Sequence, residues 1–309
     1  MILKEIANIF SRESCTLSEF FDEKFYPFSK ATKRRSDLDS YTFNKHIRPH
    51  FGSRCLRSIM PEEIDEWKLI QIEQGYKPAS INKHSSMLRR IFSIANKWGY
   101  IDRNPFTGLA IKDLDVGDFV QRFLTKEEIY RIISEAKRSS HPFIYFLVIL
   151  LILTGARKSE WRLARWKDVN YITKELVVPI SKNGRSRKVI LSAEAIEVLH
   201  DLKKHCEALG LSTRLDNWIF CNPKTLRPYT CFFHSFNKIR IAADLPTVRI
   251  HDLRHTFASL LVNNGASIYE VQKLLGHHHI SMTERYAHLF PDTLSNRVEI
   301  IAKVVLIKH

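Results

Sequence analysis

The longest apolar run of the sequence extends from Phe143 to Leu153, and it limits the folds that the chain can adopt. A membrane-spanning helix needs about 20 consecutive apolar residues, so this shorter run predicts a helix buried in a protein core. A helix that is apolar on every side has to be covered by other elements. Gly155 follows the run and is expected to end the helix.

The segment 104–119 divides the chain into two parts. It contains Pro105, Gly108 and Gly117 with several charges, a composition typical of an interdomain linker. A length of 309 residues also suggests two domains of roughly 100–200 residues each. After the linker, Thr125 and Glu128 have the spacing of a capping box and predict the start of a helix. The predicted organisation is a helical domain over 14–108, a linker over 109–118 and a second domain over 119–309, whose C-terminal segment is 294–309.

The first domain is predicted to be helical. Leu17, Phe20, Phe21 and Phe25 recur at helical spacing. The stretch from Ser80 to Lys97 has one apolar face and one basic face. Its basic side chains Lys83, Arg89 and Arg90 are candidate contacts to the phosphates of a nucleic acid. The alternative is an ordinary solvated helix face.

The second domain is predicted to be mostly α with a small antiparallel sheet. Leu176–Ile180 and Arg187–Leu191 are β-rich runs, and the Asn183-Gly184 pair between them is a strong hairpin signal. Lys182 then lies at the hairpin tip. Trp218 to Cys221 could add a short strand, and the remaining segments, including Leu253–Asn263 and Ile268–Leu275, are predicted to be helices.

The charge of the chain points to a polyanionic partner. Lysine and arginine number 48 against 33 aspartate and glutamate, a formal net charge of +15. Nucleic acid is the first candidate and an anionic membrane the second. The first ten residues carry an acid and lack the apolar block of a signal peptide, and the five cysteines form no CxxC pair. These features favour a cytoplasmic protein with reduced thiols, without a membrane segment, disulfide framework or zinc site.

Four short clusters contain candidate functional residues. In TGARKSE, Arg157 follows the apolar helix, and Glu160 lies three residues later, where it can hold the Arg157 side chain in place as part of a functional site. The alternative is that the two residues form only a salt bridge at a helix end. Lys182 by itself would be a solvated turn lysine. In HDLRH, His251 and Arg254 share a helical face. The spacing of His251 and His255 resembles a zinc helix, but Asp252 replaces the glutamate of that motif and Arg254 would repel the metal.

The fourth cluster is LGHHHISMTERYAHL, which contains His277 and Tyr286. Adjacent histidines point in different directions, so His278 and His279 are expected at the surface. A lone tyrosine in such a stretch usually packs with a satisfied hydroxyl.

The order of these clusters resembles the tyrosine recombinase, or phage integrase, family. The matching residues are Arg157 in TGARKSE, Lys182 in ISKNGRSRKVIL, His251 and Arg254 in HDLRHTFAS, His277 in LLGHHHI and Tyr286 in MTERYAHL, with Glu160 at an accessory acidic position. The resemblance covers roughly residues 14–290, including the helical first third, which looks like the family's core-binding domain.

The resemblance implies a reaction that needs no cofactor, no metal and no ATP. Arg157 and Arg254 would hold the phosphate oxygens, with help from His277. Tyr286 would attack phosphorus, His251 would accept its proton, and Lys182 would protonate the leaving 5′-oxygen. The product would be a 3′-phosphotyrosine.

The resemblance also implies partners. The two domains would clamp double-stranded DNA, and a homotetramer would exchange strands, with a possible accessory DNA-bending factor, in association with the nucleoid. The segment 294–308 would dock on a neighbouring protomer or pack on its own domain. Integration or excision of a mobile element is the favoured role. The alternatives are a chromosome-dimer resolvase, a type IB topoisomerase-like enzyme and a non-catalytic DNA-binding regulator.

Overall fold

The computed structural model describes residues 15–33, 35–117, 122–179 and 186–289. The chain forms two compact units, 1–119 and 120–309. The predicted class is confirmed, since the described residues are mostly helical and contain a small antiparallel sheet. No helix in the described ranges is long and apolar enough to cross a membrane.

The first unit is built from helices. Helix α1 comprises Leu17–Phe20, a π-helical segment Phe21–Phe25, and Tyr26–Thr32; α2 comprises Ser36–Thr42, a π-helical segment Phe43–Ile47, and Arg48–Phe51; α3 is Pro61–Glu73 and α4 is Pro78–Lys97, with short 3₁₀ turns at Leu56–Ser58 and Pro105–Gly108. Proline occupies the first position of both α3 and α4, where its missing N–H has no cost.

Aromatic side chains fill the core of the first unit. The rings of Phe21 and Phe43, on the two π-helical segments, stack with centroids 3.7 Å apart. Helix α4 packs against both segments and buries one face through Leu88, Ile91 and Phe92. This packing confirms the apolar face that the sequence predicts for the helix.

The start of the segment predicted as a linker is bound to the first unit. The Asp65 carboxylate accepts hydrogen bonds from the backbone amides of Ala110 and Ile111. The Lys68 ammonium is buried and donates to the carbonyls of Ile111 and Lys112. Asn82 exchanges two hydrogen bonds with the backbone of Leu114. Because these donors and acceptors are satisfied by α3 and α4, residues 110–114 are an ordered part of this unit.

The second unit contains the small sheet and the remaining helices. Its elements are α5 Lys126–Arg138, α6 Ile144–Thr154, α7 Lys158–Arg162, a 3₁₀ turn Trp166–Asp168, β1 Val169–Asn170, β2 Glu175–Val178, β3 Arg187–Ile190, α8 Ala193–Ala208, α9 Phe233–Ala242, α10 Asp252–Asn263, α11 Ile268–Leu275, α12 Ser281–Glu284 and a 3₁₀ turn Ala287–Leu289. Thr125 and Glu128 form the predicted capping box at the start of α5.

The apolar run forms α6, which is buried as the sequence predicts. Helix α6 contacts α5, α8 and α10, and Leu147, Val148 and Leu150 have no exposed surface. The helices that pack around α6 form the core of the second unit with it. Their packing also fixes the position of Gly155 at the C-terminal end of α6.

The sheet is antiparallel in the order β1-β2-β3. Leu176 on β2 pairs with Val189 on β3, and both side chains are buried. The predicted hairpin strands are therefore present, but the tip at residues 180–185 lies outside the described residues. The short strand expected at Trp218–Cys221 was wrong. Trp218 and Cys221 form only isolated bridges, because they pair with different segments, at Arg165 and Pro228.

Candidate active site

A cavity of about 770 Å³ lies in the second unit, where the start of α7 meets the start of α10, the segment after α11, and α12. Its walls carry side chains from three of the four clusters that the sequence singled out. They include Arg157, His251, Arg254, His255, His277, Arg285 and Tyr286. The fold thus gathers basic and aromatic side chains from distant parts of the chain around one space.

Gly155 ends α6 just before the residues that line the cavity. It ends α6 in the left-handed conformation, with φ of 58°, which a side chain would strain. A Cβ at this position would also overlap the Phe257 ring. The tight turn allows Arg157 to cap α7 two residues later.

Arg157 is held in place by Glu160, which also binds Arg187. The Glu160 carboxylate accepts from the Arg157 amide at 2.7 Å and from its guanidinium at 3.0 Å. Arg187 on β3 donates to both oxygens of the same carboxylate, at 2.9 and 2.7 Å. Burial raises the pKa of Glu160, but its bonds to Arg187 and Arg157 outweigh that effect and hold the pKa below its usual range. Glu160 is therefore an anion that fixes two cations.

Arg254 is the most deeply placed cation of the cavity. It is 3% exposed, and its guanidinium donates to the carbonyls of Gly155 at 2.6 Å and Leu275 at 2.7 Å. Burial, followed by the charges of Arg157 and Arg187, lowers the pKa of Arg254 to about 9. The side chain stays charged at neutral pH and places positive charge at a position that is itself largely shielded from water.

Three histidines surround these arginines. Burial and the charge of Arg254 lower the pKa of His251, the residue before α10. Burial lowers the pKa of His255 to about 4, and that of His277 to about 3, where Arg254 and Arg157 contribute. All three rings are therefore neutral near pH 7. The Nδ1 atom of His277 lies 2.8 Å from the hydroxyl of Thr283, which is fully buried.

Tyr286 closes the cavity on the side of α12. Its ring packs in a small apolar cluster with Val262, Val271 and Leu275 and is 2% exposed. Its hydroxyl lies 2.6 Å from Nδ1 of His255. Burial raises the pKa of Tyr286, although the nearby charges of Arg254 and Arg285 oppose the rise. The result is a neutral phenol beside a strongly cationic site.

Comparison with known proteins places this arrangement in a family. Residues 122–292 match the model of the Phage integrase family. This chain belongs to that family. It is a tyrosine-type site-specific recombinase.

The relatives of this recombinase include an integrase and a tyrosine recombinase. The ICEBs1 integrase of Bacillus subtilis (strain 168) is 27% identical over 272 residues, which cover 82% of this chain and 73% of the relative. The tyrosine recombinase XerC of Pediococcus pentosaceus is 28% identical, covering 88% of this chain and 91% of the relative.

Solved structures share the fold. The Tn1549 transposon integrase, in complex with a circular intermediate DNA, superposes with a TM-score of 0.77 at 20% identity, covering 94% of this chain and 100% of that one. A λ integrase dimer bound to a COC′ core site gives a TM-score of 0.71 at 23% identity, covering 92% and 80%.

The residues that the sequence predicts for the recombinase site fall into three groups. Arg157, Glu160, His251, Arg254, His277 and Tyr286 meet in or beside the cavity. Lys182 lies outside the described residues. The candidate DNA contacts lie on α4 of the first unit: Lys83 is exposed, Arg89 pairs with Asp113 at 3.1 Å, and Arg90 pairs with Asp39 at 3.2 Å.

The other histidines of the recombinase do not form a metal site among the residues that the structure describes, where no group of three or more potential ligands converges. His278 and His279 are exposed at the rim of the cavity, as the sequence predicts.

Sequence reasoning missed three residues of this recombinase site. They are Arg187, which binds Glu160; His255, which binds Tyr286; and Thr283, which binds His277. His255 does stand four residues after His251, so helical spacing places it near the same face. The positions of Arg187 and Thr283 carry no comparable local signal.

Proposed function

We propose that this recombinase cleaves and rejoins double-stranded DNA through a covalent bond to Tyr286, and that it integrates or excises a mobile element. The observation that carries the proposal is the meeting of Arg157, Arg254, His277 and Tyr286 around one cavity. A phosphodiester fits this set because its oxygens are anionic and its phosphorus needs a nucleophile.

The arginines would bind the scissile phosphate. Guanidinium groups form short, charge-assisted and often bidentate hydrogen bonds with phosphate oxygens. Their charge gains importance in the transition state, where the equatorial oxygens become more negative. Glu160 and Arg187 would hold Arg157 in position before DNA binds, so that little reorganisation is required. His277 would donate a further hydrogen bond to a phosphate oxygen.

Tyr286 would be the nucleophile. Its oxygen forms a bond to phosphorus and the bond to the 5′-oxygen breaks, which gives a 3′-phosphotyrosine. His251 would receive the phenolic proton, and Lys182 would supply a proton to the 5′-oxygen. Because the phosphoester energy is kept in the covalent link, the reverse attack of a 5′-hydroxyl rejoins the strand without ATP.

The formal charge of +15 supports binding to DNA, since phosphate neutralisation supplies most of the sequence-independent affinity. Lys83, Arg89 and Arg90 would contribute through α4, and the last two would have to exchange their aspartate partners for phosphates. A homotetramer would assemble on two DNA sites in the nucleoid of the cytoplasm, with an accessory DNA-bending factor where the site requires one.

The direct test is to trap the covalent intermediate. Nicked suicide duplexes drawn from the DNA that flanks the gene are incubated with the protein and separated on denaturing gels. The wild type should give a slow protein–DNA adduct that Tyr286→Phe abolishes. Tyr269→Phe, at a tyrosine that is 58% exposed, is the matched control and should retain it.

The outcomes separate the alternatives. Adducts on one flanking sequence support an element-specific integrase, whereas adducts only on a chromosomal dimer-resolution site support a resolvase. Relaxation of any supercoiled plasmid would indicate topoisomerase-like chemistry. Tight DNA binding without an adduct on any duplex would contradict the proposal and favour a regulator.

A further inference from the structure

His255 makes the direct contact with the hydroxyl of Tyr286. Its Nδ1 atom lies 2.6 Å from the phenolic oxygen, within the range of a short hydrogen bond. The His251 ring instead meets the His255 ring edge-on, with centroids 4.9 Å apart. His255 therefore contacts both the tyrosine and His251.

The direction of this hydrogen bond follows from burial. Tyr286 is 2% exposed, so its hydroxyl proton requires an acceptor inside the protein. His255 is 4% exposed, and burial lowers its pKa to about 4, so the ring is neutral and one ring nitrogen is free to accept. The Nδ1 atom is the nitrogen that faces the hydroxyl.

We propose that His255 is a positioning residue of the recombination reaction, whose Nδ1 accepts a hydrogen bond from the hydroxyl of Tyr286 before His251 receives the proton during attack. The contact fixes the rotation of the O–H bond, and the oxygen lone pairs then point away from His255 into the cavity that Arg254 also lines. This proposal rests on the proposed role of Tyr286 as the nucleophile.

The packing on both sides supports this role. The Tyr286 ring is fixed by the apolar cluster that contains Val262 and Leu275, so only the torsion of its hydroxyl remains free. His255 lies in the second turn of α10, one residue after Arg254. One helix therefore positions a phosphate-binding cation and the partner of the nucleophile together, as an efficient site requires.

Substitutions of His255 test the proposal through cleavage rates. Asparagine carries an oxygen close to the position of Nδ1, whereas leucine fills a similar volume without an acceptor. In single-turnover cleavage of the suicide duplex, His255→Leu should be slower by about tenfold, and His255→Asn should stay within about threefold of the wild type. DNA affinity should not change. His234→Leu, at an exposed position on α9, controls for a generic histidine-to-leucine change.

A second measurement does not depend on DNA. Nitrogen-15 NMR of the DNA-free protein with labelled histidine should show His255 neutral, with its proton on Nε2. Replacing Tyr286 by phenylalanine should move the Nδ1 resonance to that of a nitrogen without a hydrogen bond.

Three results would overturn the proposal: a protonated Nδ1, equal rates for the leucine and asparagine variants, or a leucine variant as fast as the wild type. If the wild type forms no adduct at all, the proposed function fails, and the NMR spectrum still decides whether Nδ1 of His255 accepts a hydrogen bond from the phenol. The spectrum also decides the case in which the leucine variant does not fold.

Discussion

Replacing Arg187 by methionine should destabilise the second unit strongly, because it removes one partner of a buried ion pair. The side chains of Arg187 and Glu160 are 10% and 4% exposed, and two hydrogen bonds of 2.9 and 2.7 Å join them. Breaking such a pair costs about 3–5 kcal/mol. Since Arg157 still contacts Glu160 at 3.0 Å, we expect a loss on the order of 3 kcal/mol, near the lower limit of that range.

Urea-induced unfolding measures this loss. With a dependence on urea of about 2–3 kcal/mol per molar, the midpoint of the transition of the second unit should fall by roughly 1 M. The matched control is Arg138→Met, because Arg138 is 77% exposed and its pairing with Glu135 lies at the surface. That variant should lose less than about 1 kcal/mol. Equal midpoint shifts for the two variants would refute the reasoning.

The loss should also depend on pH with a defined sign. The pKa of Glu160 is lower in the folded protein than its usual value of 4.5. Its pairing therefore contributes fully above pH 4.5 and is lost as the pH falls through the folded pKa. The difference between the wild type and Arg187→Met should be constant from pH 6 to 8 and shrink below about pH 4. A difference that instead grew on acidification would contradict this assignment.

Two further predictions concern residues close to the cavity. Gly155→Ala should lower the free energy of unfolding by about 2–5 kcal/mol, from the left-handed backbone and the overlap with Phe257. The control is Gly210→Ala, where φ is 72° and the space around the glycine is open. It should cost only about 1–2 kcal/mol in the same urea-induced unfolding assay. Equal losses for the two variants would exclude a contribution from the overlap with Phe257. Thr283→Val should slow cleavage of the suicide duplex about fivefold, because it removes the hydroxyl that contacts His277. Thr283→Ser keeps a hydroxyl and should restore the rate. If the serine variant is no faster than the valine variant, the hydroxyl does not support cleavage through His277.

Several features could be predicted from local sequence alone. The apolar run predicted α6 and its burial, because a helix that is apolar on every side must be covered by other elements in any fold. The capping box at Thr125 and Glu128 and the hairpin strands around Asn183-Gly184 depend on contacts between near neighbours. The order of the arginine, histidine and tyrosine motifs was sufficient to recognise the family. Each motif is carried by residues a few positions apart, even though the motifs themselves are far apart in the chain.

Other features required the tertiary structure. Arg187 binds Glu160 across 27 positions, Tyr286 reaches His255 across 31, and Arg254 donates to Gly155 across 99. Sequence periodicity does not indicate which polar group becomes the hydrogen-bond partner of a buried side chain. That partner is determined by which segments pack together in the folded chain.

The basic face of α4 shows the same limit. Helical spacing indicated where Arg89 and Arg90 lie, and only the folded chain placed Asp113 and Asp39 against them. The sequence by itself predicted the helices, the paired strands β2 and β3 and the candidate reacting groups, because those depend on local pattern and side-chain chemistry. The tertiary structure decided how the groups are held, because a buried polar atom takes its partner from whatever the fold brings within about 3 Å.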